Sequence, residues 1–146
     1  MSAPVELLQQ VPLFQGLSER DLKTLAASFT ARPFSAGQEL ASEGKGGAGF
    51  FVIESGQAVV TVDGQERRRL GPGEYFGEIA LIDGGKRTAT ITAASDGVSY
   101  GLTAWQFRPL VEANASIAWP LLEAVARRTR EVEAAQRDAA RQGAAG

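Results

Sequence analysis

From Arg32 onward the chain is interrupted by turn signals at short, regular intervals: Ala36-Gly37, the glycine-rich stretch 44–49, Ser55-Gly56, Asp63-Gly64, Gly71-Pro72-Gly73 and Asp96-Gly97. Glycine and aspartate tolerate the tight and left-handed backbone conformations that a chain reversal needs. No segment between them has room for more than a short strand. The clearest runs are FFVIE at 50–54, QAVVTV at 57–62, TATITA at 88–93 and VSYGLT at 98–103, all rich in β-branched and aromatic residues. This spacing predicts a mainly β fold, a barrel or roll, over about residues 31–103.

Helical periodicity brackets the roll. Ser18 and Asp21 are spaced as a capping box, and Leu22, Leu25, Ala26 and Phe29 follow on one face. After the roll, Thr103 and Gln106 repeat the capping spacing ahead of Trp105, Phe107, Leu110 and Val111. A longer helix opening at Asn114 or Ser116, with Pro120 near its first turn, is expected to reach residue 142, leaving 143–146 as a frayed tail. Trp105 and Trp119 are expected to anchor the core. The chain therefore reads as one domain over 1–142, with C-terminal helices over about 104–142.

One stretch departs from strand patterning, residues 76–93, FGEIALIDGGKRTATITA. Gly77 lets a ligand approach the backbone, and the run from Glu78 to Ile82 is able to form a helical turn whose first N–H groups are free to face an anion. Arg87 follows Glu78 by nine residues and offers a planar, permanently charged fork that holds a phosphate through two parallel hydrogen bonds. The Glu78 carboxylate is acceptor-only and suits a sugar hydroxyl. A phosphate, a hydroxyl and a close backbone together suggest a nucleotide.

At these residues the sequence resembles the cyclic-nucleotide-binding domains of the catabolite activator protein, cyclic-nucleotide-dependent protein kinases and cyclic-nucleotide-gated channels. Their phosphate-binding cassette reads Phe-Gly-Glu-hydrophobic-Ala-Leu, a short turn, then Arg-(Ser/Thr/Ala)-Ala-(Thr/Ser)-(Val/Ile), and the chain matches it without a gap. PLFQGLSERDLKTLA at 12–26 and GFFVIESGQAVVTV at 49–62 are similar to the family's N-terminal helix and central hairpin. The resemblance implies that Gly77, Ile79, Ala80, Arg87 and Ala89 surround a cyclic phosphate, that Glu78 binds the ribose and that Thr88 lies near the base. It implies cAMP or cGMP as ligand, no catalysis, and output through the C-terminal helices to a homodimer partner or an effector domain. The resemblance further implies an antiparallel, jelly-roll-like β-roll, and a lid over the base that either falls to Val132 or Glu133 or is absent, because the last helix has no aromatic residue beyond Trp119. The alternative is a nucleotide-free roll, kept as a scaffold or dimerisation domain, in which Glu78 and Arg87 pair with each other.

Composition narrows the rivals. The chain has no histidine and no cysteine, so imidazole and thiolate metal sites and the usual nucleophile–base pairs are impossible. A net charge of −2 gives no footprint for nucleic acid. No apolar run approaches the roughly 20 residues of a membrane span, and Glu6 falls where a signal peptide would be apolar, so a cytoplasmic, non-membrane protein is expected. The stretch 44–49 satisfies GxGxxG, yet a strand rather than a helix follows it, and GGKRT at 84–88 has Arg87 where a Walker loop needs Ser or Thr. Glu66 to Arg69 reads as a charge-protected sheet edge. On the last helix, Ala118, Leu122, Val125, Thr129, Val132, Gln136 and Ala139 recur at spacings of four and three, a heptad seam that suits either a second chain or the roll itself.

Overall fold

The computed structural model describes residues 3–42, 44, 49–83 and 88–145. Two short N-terminal elements, α1 (Val5–Leu8) and a 3₁₀ turn (Pro12–Phe14), precede α2 (Glu19–Ser28). The strands are β1 (Thr30–Phe34), β2 (Glu39–Ala41), β3 (Gly49–Ser55), β4 (Ala58–Val62), β5 (Gln65–Leu70), β6 (Tyr75–Phe76), β7 (Thr90–Ala93) and β8 (Gly97–Thr103). Helix α3 (Glu78–Asp83) lies between β6 and β7, and α4 (Ala104–Ala113) and α5 (Ala115–Ala145) close the chain. Two antiparallel sheets form, ordered β1-β8-β3-β6 and β2-β7-β4-β5.

Burial explains the strand sequences. In β3 the run Phe50 to Ile53 is apolar throughout because both faces are covered. Phe50 and Val52 pack with the helices, together with Phe14, Leu25, Phe29, Leu102 and Ile117. Ile53 turns the other way, into a second cluster between the sheets with Ala58, Val60, Leu70, Phe76 and Ile91. Phe14, Phe29 and Phe50 meet edge to face with centroids 5.6–6.5 Å apart, which fixes the N-terminal helices to the sheet. Strand β5 is an edge bearing Arg67, Arg68 and Arg69, its register with β4 shifts between Val60 and Thr61, and Arg69 pairs with Glu66 at 3.0 Å. At the β3–β4 turn Gly56 adopts φ +85°, and a Cβ there would sit 2.5 Å from the Asp96 carbonyl oxygen, so only glycine fits.

Three expectations need correction. Trp105 and Trp119 are not core anchors; they are 67% and 68% exposed. Phe107 takes the buried position on α4, and Ile117, Leu121 and Ala124 take those on α5. A residue two places from a buried one points to the opposite side of a 3.6-residue helix. Pro120 sits at the sixth residue of α5, past the first turn, and α5 continues to Ala145 because its alanine-rich end favours helix beyond residue 142. Among the described residues no helix is long and apolar enough to cross a membrane.

Candidate functional site

Strand β6 pairs with β3 in the first sheet, and β7 pairs with β4 in the second. The 76–93 segment therefore leaves one sheet, makes α3, and enters the other. Gly77 stands at the start with φ +87°, a conformation L side chains rarely adopt. The first intrahelical bond of α3 runs from the Leu81 N–H to the Gly77 carbonyl at 3.1 Å. The amides of Glu78, Ile79 and Ala80 precede that bond and are the orphan donors of a helix start. Leu81 is 1% exposed and packs with the helical core, so α3 is anchored on one face, while Ile82 is half-exposed on another.

On the far side, Thr88 is exposed and Ala89 is half-buried against the inter-sheet cluster, against which Leu40, Ala41 and Phe51 also pack. Gly77 and α3 follow β6, and Thr88 and Ala89 precede β7, with Phe76 inside and Ala89 against the apolar cluster of Ile53, Val60 and Ile91. Arg87 lies outside the described residues, as do residues 84–86, and the side chains of Glu78, Ile79 and Ala80 are likewise not described. Val132 and Glu133 lie on α5 beyond Val125, the last of its residues packed with the core, and both are exposed. Neither is buried against the cassette.

Sequence reasoning did not single out Phe51, Leu40 or Ala41, which like Ala89 pack against the cluster between the sheets. The available signal was alternation in FFVIE, which places Phe51 and Ile53 on the face away from Phe50 and Val52. Among the described residues no cluster of acidic side chains is arranged to hold a metal ion. What the described residues supply is first-turn backbone amides at the start of α3 and an apolar cluster beside them, groups suited to binding.

Comparison with known proteins agrees. The pattern of the cyclic nucleotide-binding domain matches residues 31–114, more than half of the chain. The cAMP-dependent protein kinase regulatory subunit of Mycosarcoma maydis is 39% identical over 61% of this chain and 18% of its own length. The cyclic AMP receptor protein of Thermus thermophilus is 32% identical over 84% of this chain and 59% of its own. The chain therefore spans only part of the length of these relatives. Among solved structures, the N-terminal domain of a transcriptional regulator from Streptomyces coelicolor A3(2) superposes with a TM-score of 0.80 at 33% identity, covering 88% of this chain and 93% of that one. With both its roll and its cassette sequence in place, the chain belongs to the cyclic nucleotide-binding domain family.

Proposed function

We propose that this domain, over about residues 1–142, is a cytoplasmic, non-catalytic sensor that binds cAMP or cGMP in the 76–93 cassette and passes occupancy on through α5. The observation that supports the reading is Gly77 at φ +87°, where α3 starts between β6 of one sheet and β7 of the other. In this reading the Ile79 and Ala80 amides and Arg87 hold the cyclic phosphate, with Gly77 and Ala89 admitting it to the backbone. Glu78 accepts from the ribose hydroxyl, and Thr88 faces the base. The names of the relatives above put cAMP first.

For output, α5 has two apolar faces. Ile117, Leu121 and Ala124 are buried against the domain, whereas Leu122 and Val132 of the heptad seam are 59% and 47% exposed. Apart from Val125, which packs with the core, the large apolar members of the seam, Leu122 and Val132, face outward, which favours a second copy of this chain or an effector domain as its partner, with Val132 and Glu133 reaching the base only if α5 moves.

Calorimetric titration with both nucleotides tests the reading. The parent should bind at least one, and Arg87→Ala should weaken that binding a hundredfold or more, since two charged hydrogen bonds of ~1.5–3 kcal/mol each are lost. No heat with either nucleotide would leave the roll as a scaffold.

A further inference from the structure

The arginines of β5 do not share a face. In an antiparallel pair, residues directly opposite each other stand on the same side of the sheet, and sides alternate along the strand. Leu70 is opposite Ala58 and Arg68 is opposite Val60. Leu70, Ala58 and Val60 all belong to the cluster between the sheets, so Arg68 is on the inner face and Arg69, opposite Val59, on the outer one. The register shift between Val60 and Thr61 absorbs Arg67 and returns Glu66 to the outer face, where its Oε1 accepts from Arg69 Nε at 3.0 Å. Arg69 thus has its counter-charge, whereas among the described residues the Arg68 guanidinium has neither an ion pair nor a hydrogen bond.

Arg68 also ends a row. Ala41 of β2, Ile91 of β7, Val60 of β4 and Arg68 of β5 are successive register partners across the second sheet. The first three are apolar and belong to the inter-sheet cluster or pack against it, while Arg68 is exposed on the edge strand. Ala89 of the cassette, two residues before Ile91, packs against the same cluster. Strand β5 lies two strands from β7, about 10 Å at the usual strand spacing. A ligand held at α3 and Ala89 and laid along the row therefore rests its flat face on Ile91 and Val60 and brings its far edge to Arg68. A guanidinium fork matches two acceptors side by side. Guanine carries such a pair, O6 and N7, on the edge remote from its 2-amino group, whereas adenine has an amino donor in place of O6.

We propose that Arg68 reads the base of the bound nucleotide, donating to O6 and N7 of a guanine laid over Ile91 and Val60, and thereby makes cGMP the preferred ligand. This rests on the reading of residues 76–93 as the phosphate site. It ranks cGMP above cAMP, the reverse of what the relatives' names suggest. Thr88 and Arg68 then serve opposite edges of one base.

The test is calorimetric titration of the parent, Arg68→Ala and Arg69→Ala with cGMP, cAMP and 7-deaza-cGMP, which lacks the N7 acceptor. The parent should bind cGMP at least about fivefold more tightly than cAMP, the low end for one bidentate base contact. Arg68→Ala should lose at least about fivefold for cGMP and less than about twofold for cAMP. Arg69→Ala removes the same charge from the outer face and should leave both affinities within about twofold. The parent should bind 7-deaza-cGMP more weakly than cGMP, and Arg68→Ala should bind the two alike. A parent that prefers cAMP, equal losses for cGMP and cAMP in Arg68→Ala, or the same loss in Arg69→Ala would overturn the proposal and leave the phosphate site standing. No heat with any nucleotide in the parent would overturn both. Should Arg68→Ala not fold, equal binding of cGMP and 7-deaza-cGMP by the parent overturns the base reading alone.

Discussion

The rings of Phe51 and Phe76 stack across the β3–β6 pair with centroids 5.1 Å apart and an interplanar angle of 21°. Phe76 immediately precedes Gly77, so this stack fixes where the cassette leaves the sheet. Phe76→Ala should lower stability by about 3 kcal/mol in urea unfolding, the range for a large aromatic removed from a core. Trp105→Ala, at a 67% exposed position, should change it by no more than about 0.5 kcal/mol. Similar losses in the two variants would mean that the stack does not hold β6.

Local signals were the legible ones. The turn glycines, the apolar alternation and the Thr103–Gln106 box each depend on a few neighbouring residues, and the elements they mark are present where the spacing puts them. What was hidden depends on distant partners. Phe107 rather than Trp105 became the buried residue of α4, and no spacing rule decides which of two aromatics meets a sheet formed elsewhere in the chain. The Ser18–Asp21 pair has capping-box spacing, and of its two arms the Asp21 N–H to Ser18 Oγ bond is the one that forms. At the cassette, Gly77 and the α3 turn were readable from residue types. The apolar cluster that Ala89 packs against is drawn from strands of both sheets, far apart in sequence.

Sugar recognition by Glu78 predicts a specific pairing of variant and ligand. Glu78→Gln should weaken cyclic nucleotide binding about five- to tenfold, because a neutral acceptor replaces a charge-assisted one. A 2′-deoxy cyclic nucleotide should bind the parent poorly and gain nothing from the parent carboxylate. If calorimetry finds ribose and deoxyribose ligands equal in the parent, Glu78 is not at the sugar.

Thr88 is exposed while its neighbour Ala89 is half-buried. In the proposed site a hydroxyl at Thr88 bonds the 2-amino group of a syn guanine, which adenine lacks. Thr88→Ala should therefore reduce cGMP affinity by roughly two- to tenfold and cAMP affinity by less. Equal effects in competition binding would assign Thr88 to the phosphate instead.

Burial, and then the hydrogen bond and negative charge of Glu54, hold the Tyr100 phenol above its ordinary range. An unfolded tyrosine gives up its proton near pH ~10, whereas the folded one keeps it to higher pH. Its contribution to stability is thus complete below the unfolded pKa and is lost as pH rises through the folded pKa. Replacing Tyr100 with Phe should flatten the fall of the urea midpoint above pH ~10. Parent and variant curves that run parallel there would remove Tyr100 as the cause.

The cassette sits between the sheets, whereas the exposed apolar seam lies on α5, so a signal from one to the other requires α5 to change its packing between two states. Its docked part is short: Ile117, Leu121 and Ala124 are buried, Val125 is half-buried, and Leu122 and Val132 already face outward. Such a helix is held by few contacts and is able to re-dock at modest cost, which is what a switch element needs. Amide hydrogen exchange with and without cyclic nucleotide should show altered protection across residues 115–142 as well as within 76–93. Leu122→Ser combined with Val132→Ser leaves the docked face untouched, so it should preserve the fold while changing either the mass seen by light scattering or the apparent nucleotide affinity. Exchange changes confined to 76–93, together with unchanged mass and affinity in the double variant, would show that α5 carries no signal from the site.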